Sequence, residues 1–236
     1  MHAVEWWMSS KLTGISSMAT RQILADLAQP YQQRTGCRVA FQSMGGVDAA
    51  RRIRAGAPAD VIILASNVME ELETEGHMVS GSRADFARSG IAMAVPSGVQ
   101  QPSIGDEEAV KQATLNARKI CYSTGPSGHH LKQLWQRWGL LDAISERAMQ
   151  APAGVPVGTI VARGEADLGF QQLSELLHVP GIDIVGPLPP DIQAVTVFSA
   201  GISSTSSQIE SARAFIAYLA SAEADPAKRQ HGMDPA

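Results

Sequence analysis

Two cysteines in 236 residues, Cys37 and Cys121, are too few and too far apart for a disulfide framework, and no ligand spacing around them suggests zinc. Both adjoin strand-like runs, Cys37-Arg38-Val39-Ala40-Phe41 and Ile120-Cys121-Tyr122, and read as buried thiols. Basic residues are also short. Lys and Arg number 19 against 23 Asp and Glu, a net charge of −4, which leaves no basic footprint for nucleic acid. No apolar run approaches the length of a membrane span. The start, Met1-His2-Ala3-Val4-Glu5-Trp6-Trp7-Met8, lacks the basic opening, apolar core and small-residue cleavage site of a secretory signal. As written, the chain is cytoplasmic; if a leader has been removed, it is periplasmic. Met8 is an alternative start, which would make the first seven residues a disordered extension. No nucleophile–base triad and no metal-ligand cluster can be picked out. A metal or a cofactor is not expected, and the balance favours binding over covalent chemistry.

What is present is a hydrophobic fraction of 44% with 18% charged residues, enough to build one large globular domain or two small ones. The organising stretch is Thr13-Gly14-Ile15-Ser16-Ser17-Met18-Ala19-Thr20-Arg21. Lys11 to Ile15 reads as a short strand, and Met18, Ile23, Leu24 and Leu27 fall at helical spacing after it. Ser16 and Ser17 between them either cap the helix or line an anion site at its positive end. The helix stops at Gly36. Arg38–Gln42 is strand, Ser43–Gly46 a tight loop, and Val47–Ala55 a helix closed by Gly56. Val61–Ala65 is a continuous apolar run, as a strand covered on both faces requires, and Asn67–Glu75 is helical up to Gly76. This alternation implies a parallel sheet with helical crossovers.

Past residue 85 the pattern restarts. Strands are expected at 91–95 and 119–122, with a helix over 106–117 between them. Ser123-Thr124-Gly125-Pro126-Ser127-Gly128 then repeats the opening arrangement of strand, small-residue turn and helix. A helix beginning near Val155–Val157 and ending at Gly164, strands at 167–172, 182–189 and 195–201, and a helix over 211–220 complete the fold. The polar tail from Ala224 is expected to be loose.

Ser16-Ser17, the Gly45-Gly46 loop, Arg54-Ala55-Gly56-Ala57-Pro58-Ala59-Asp60-Val61, Ala162-Arg163-Gly164-Glu165-Ala166-Asp167-Leu168-Gly169 and Val185-Gly186-Pro187-Leu188-Pro189 together resemble the molybdate-binding periplasmic proteins of ABC importers. The resemblance spans Leu12 to about Ala220, and the family includes aconitate-isomerase-like relatives. It implies an α/β, two-lobed periplasmic-binding-protein type II fold, with mixed sheets flanked by helices and two crossing strands as hinge. Mapped here, lobe one is 1–84 plus 197–236 and lobe two 85–196, crossing near Ile91–Val95 and Val195–Phe198.

In that family an oxyanion is held by backbone N–H groups and hydroxyls at helix N-termini of both lobes, with one tyrosine. Ser17 and Ser127 match hydroxyl positions, with Ser16 and Gly128 beside them, and Val157 matches a backbone donor. Gly45-Gly46 stands in place of a second serine, and Gln172 in place of the tyrosine, which leaves a larger site with fewer short hydroxyl donors. Arg21 is either a surface residue or a fixed cation for a carboxylate. His129 and His130 are either solvated or proton-transfer groups. Arg51, Arg52 and Arg54 read as a solvated helix face, and Asp48 as a dipole partner in a first turn.

Two functions fit. One is a solute-binding protein for a small anion, a molybdate-like oxyanion or a di- or tricarboxylate, that closes two lobes on its ligand and serves the membrane subunits of an ABC importer. The alternative is a cofactor-free isomerase like aconitate isomerase, moving a proton and a double bond in a tricarboxylate, with His129 or His130 as the base.

Overall fold

The described residues open on a strand. β1 (Lys11–Ser17) lies between two parallel neighbours, β2 (Arg38–Met44) and β3 (Val61–Ala65), in the computed structural model, which describes residues 11–236. The Met8 start and any leader lie outside the described residues. A tight turn over 18–20 leads into α1 (Arg21–Thr35), and α2 (Gly46–Arg54) and α3 (Ser66–Thr74) follow β2 and β3. The apolar run of β3 is buried throughout. Val61 and Ile63 pack with Ile23, Leu24, Leu27 and Phe215 on one face, while Ile62 and Leu64 pack with Ile53, Met69 and Leu72 on the other. That double burial is why no polar residue interrupts the run.

β4 (Ala84–Pro96) is the longest strand and exceeds the expected 91–95 because its first half is mixed in polarity. The second half of the molecule then contains α4 (Glu107–Asn116), β5 (Ile120–Tyr122), α5 (Pro126–Arg137), α6 (Leu141–Ile144), β6 (Ala148–Gln150), α7 (Val157–Ala162), β7 (Leu168–Gln172), α8 (Leu173–Leu176) and β8 (Ile182–Pro187). β9 (Val195–Ile202) returns to the first half, where α9 (Ile209–Ala220) covers the sheet. The strand order β2-β1-β3-β9-β4-β7-β5-β6 makes β4 the member common to both halves. Up to Gly90 it pairs antiparallel with β9; from Ile91 it pairs with β7 and β8.

Two glutamines fix this crossing. Gln193 accepts from Ile91 N at 2.7 Å and donates to Ile91 O at 3.0 Å and Leu188 O at 3.3 Å. Gln172 faces Thr196 Oγ1 at 2.7 Å and, with its amide oriented to satisfy every partner, donates to Ser89 O at 2.8 Å and Gly90 O at 3.2 Å. In the second half Met93, Val95, Leu131, Leu134, Trp135 and Phe170 form one core, and Cys121, Val157 and Val161 form part of another on the opposite face.

The tail corrects an expectation. It is ordered, with a turn at 222–224, α10 (Asp225–Gln230), and β10 (Asp234–Pro235) paired to β4. Lys228 is 1% exposed and bonds Asp225 at 2.9 Å, while Ala224 and Met233 join the first core. His231 bonds Asp26 Oδ2 at 2.7 Å through Nε2 and His178 Nε2 at 2.8 Å through Nδ1. The polar residues that made the tail read as solvated satisfy one another internally.

Candidate functional site

The strand-to-helix turns that open each half meet across one cavity of about 560 Å³. From the first half come Ser17 to Ala19, Gly45 to Val47, and the start of α3; from the second come Ser123 to Ser127 and Val155-Pro156. No side chain caps α2, α3 or α5, so their positive ends and leading amides face the cavity without a built-in acceptor. α4, remote from the cavity, has Asp106 accepting from Ala109 N at 2.8 Å. α9 and α10 also lack a side-chain cap, so what marks α2, α3 and α5 is their place on a concavity, where an uncapped N-terminus favours an anion from solution.

The hydroxyls at the site are held by their own neighbours. Ser127, 2% exposed, lies 2.7 Å from Ser123 Oγ, which also accepts from Gly125 N at 3.3 Å. Ser17 Oγ is 3.4 Å from Thr20 Oγ1 and does not cap its helix. Gly46 lines the cavity, and an added Cβ there would meet nothing within 4 Å. Gly128 is the opposite case: a Cβ there would lie 1.8 Å from Ser123 O, so this glycine permits close packing under the turn.

Ser17, Gly45, Gly46, Ser127, His129 and His130 therefore share the cavity wall. The remaining expected site residues lie elsewhere. Ser16, next to Ser17 on β1, points to the opposite face and bonds Ser43 Oγ at 2.8 Å. Arg21 begins α1 exposed and does not line the cavity. Gly128 is packed beneath the turn, and the Val157 amide donates to Gln171 Oε1 at 2.9 Å. Gln172 is 2% exposed and committed to the crossing strands; its neighbour Gln171 lines the cavity instead. A step of one residue along a strand changes the face. His130 spends Nε2 on Ile192 O at 2.8 Å, whereas His129 is exposed.

Gln171, Glu175, Arg54 and Glu71 are among the wall residues that sequence reasoning missed, along with Asn67, Ser123, Thr124 and Gln133. Arg54 bonds Glu75 at 2.7 Å and Glu71 at 3.1 Å, so its charge is already shared. Glu175 is half-buried, and Gln171 Nε2 donates to its Oε1 at 2.8 Å. Burial pushes the Glu175 carboxyl up to about 7, against the opposing pull of the Gln171 hydrogen bond. Burial likewise raises the Cys121 thiol to about 12, in keeping with an inert core cysteine. Among the described residues, no group of His, Cys, Asp and Glu is placed to hold a metal ion. No helix among them is long and apolar enough to cross a membrane.

Comparison with known proteins agrees with this architecture. The chain is 40% identical to an aconitate isomerase from a Pseudomonas species over 230 residues, covering 95% of this chain and 87% of that one. It is 28% identical to the molybdate-binding protein ModA of Azotobacter vinelandii over 190 residues, 73% of each chain. The structure of the periplasmic molybdate-binding protein from Azotobacter vinelandii superposes with a TM-score of 0.79 at 24% identity, covering 94% of this chain and 98% of that one. The model of the bacterial extracellular solute-binding protein family matches residues 12–234, and with the two-lobed, strand-crossed fold and the anion-facing cleft already described, the chain belongs to that family.

Proposed function

We propose that the cleft closes on a small multiply charged carboxylate, with the lobes divided as 1–84 plus 197–236 and 85–196. The observation that carries this reading is the pair of uncapped helix starts, α2 from one half and α5 from the other, on a single cavity of about 560 Å³. That volume suits an extended polyanion better than a tetrahedral oxyanion, and Gly46 leaves the first-half wall without the hydroxyl that would narrow it. Ser17, Gly45, Gly46 and Ser127 would meet the anion. Held by dipoles and hydroxyls, a carboxylate needs no paired cation in the wall. Delivery to the membrane subunits of an ABC importer is the role that the family membership supports.

A thermal-shift panel of molybdate, tungstate, citrate, cis-aconitate and trans-aconitate tests the ligand class, because a ligand that binds only the folded state raises Tm by mass action. A shift with the carboxylates is expected. A shift confined to molybdate and tungstate would overturn the carboxylate reading.

A second reading, an isomerase acting on an unsaturated tricarboxylate, is favoured by the 40% identity to the Pseudomonas aconitate isomerase across 95% of this chain. The same panel, followed by an assay for interconversion of the two aconitates, separates it from binding alone.

A further inference from the structure

We propose that Glu175, rather than either histidine, is the group that moves the proton in an allylic shift on a tricarboxylate held in the cleft. This rests on the isomerase reading and deepens it. The geometry is specific. Gln171 Oε1 accepts from Val157 N at 2.9 Å, which fixes the amide so that its NH₂ must face the other way. It then donates to Glu175 Oε1 at 2.8 Å. One carboxylate oxygen is thus anchored through a side chain to the backbone of α7. The other has no hydrogen-bond or ion-pair partner among the described residues, and the side chain lines the cavity.

The surroundings leave the carboxyl free to titrate. α8, which carries Glu175, packs against β4, β7, α7 and residues 18–20. Of these, only β4 brings ionisable groups, Asp85 and Arg88, and both are engaged elsewhere. Asp85 accepts from Ser199 Oγ at 2.5 Å, and Arg88 donates to Pro235 O at 2.9 Å. The cavity wall also carries Arg54, paired with Glu71 and Glu75, and His129 and His130. A general base works best when its pKa lies near the working pH, which burial provides here. The histidines are less well placed: His130 Nε2 is occupied by Ile192 O, and among the described residues no side-chain hydrogen bond orients the exposed His129.

The step balances without an outside reagent. Glu175 takes a proton from the substrate's methylene carbon, and the C–H electron pair becomes a new carbon–carbon double bond. The pair of the old double bond moves to the far carbon, which receives the proton back from Glu175. One C–H bond breaks and one forms, nothing is oxidised, and the carboxylate is regenerated.

The test uses the full chain with cis- and trans-aconitate in D₂O. NMR follows deuterium entry at the methylene and interconversion of the isomers, and calorimetry measures binding in parallel. Glu175→Gln should keep affinity within about threefold while losing roughly 10²–10⁴-fold in exchange and turnover, the usual worth of a positioned acid or base. Gln171→Leu, which removes the group that positions the carboxylate, should lower kcat and move the acidic limb of the kcat/KM profile to higher pH, because the ionised carboxylate loses a donor. That profile keeps the idea testable if Glu175→Gln folds poorly. Exchange persisting at wild-type rate in Glu175→Gln, or an unmoved limb in Gln171→Leu, would overturn the assignment. Wild-type protein that binds the aconitates without exchanging them would sink the proton-transfer role and leave the binding reading intact. No binding at all would sink both.

Discussion

At the scale of single residues, the site works through what it leaves unsatisfied. Glu175 is held in a state that costs stability, and the cost has a definite pH dependence. Its folded carboxyl titrates at about 7 against an ordinary value of 4.5. Between those values the folded state holds the proton more tightly than the unfolded chain, so stability falls as pH rises through that window and levels off above it. The full difference is on the order of 3 kcal/mol. Glu175→Gln, which cannot ionise, should therefore raise Tm more at pH 8 than at pH 5.5. An equal change at both pH values would show that burial does not perturb this carboxyl. Gly46 makes the complementary prediction. An added Cβ there meets nothing within 4 Å, so Gly46→Ser should add a hydroxyl donor at the start of α2 without a clash. Molybdate or tungstate affinity should then rise roughly tenfold, within the range expected for one hydrogen bond to a charged acceptor, while bulky carboxylates bind more weakly. Calorimetry with both ligand classes decides it; unchanged affinity for both would mean that the α2 start does not touch the anion.

At the scale of elements, pairing decides order where composition does not. α10 and β10 contain proline, charge and little apolar surface, yet they are held by the Asp26–His231–His178 chain and by Lys228 on Asp225. His231 is 5% exposed, so His231→Ala would remove the link between α1 and the tail and open a gap, while exposed Asp26 and His178 turn to solvent; the expected loss is about 1–3 kcal/mol by urea unfolding. An unchanged midpoint would mark the tail as a passenger. The same contrast explains what was legible beforehand. β3 is readable because five buried residues in a row admit no alternative, and α1 and α3 are readable because Gly36 and Gly76 stop them at positive φ. β6, at three residues, carries too short a pattern to read, and the first half of β4 mixes Asp85 and Arg88 with Phe86 because only some of its positions are buried. Within the site, Ser17, Gly45, Gly46 and Ser127 were readable as small residues at strand-to-helix turns. Gln171 and Glu175 were not, since adjacent glutamines on β7 face opposite ways and a four-residue helix has no periodicity to show.

At the scale of the molecule, the two halves share a strand, so closure on a ligand must be a rotation about the place where that strand changes partners. The crossing is narrow. β4 leaves β9 at Gly90, opposite Val195, and takes β7 and β8 from Ile91 onward. Gln193 supplies the hydrogen bond that Ile91 N would otherwise lack at the change, and an added Cβ on Gly90 would sit 3.0 Å from its Nε2. Neither residue lines the cavity. Hinge residues absorb backbone rotation at a distance from the ligand, so altering them should act on the motion and not on the contacts. Gln193→Leu leaves a buried N–H unpaired, which costs about 1–3 kcal/mol of stability. The wild-type chain should contract on ligand addition in small-angle scattering. In the variant, stability should fall and the contraction should change in extent or in the ligand concentration needed to reach it, although every cavity residue is untouched. A variant as stable as wild type that contracts identically would move the hinge away from Gly90 and Gln193, and would leave the shared strand as a connection without control over closure.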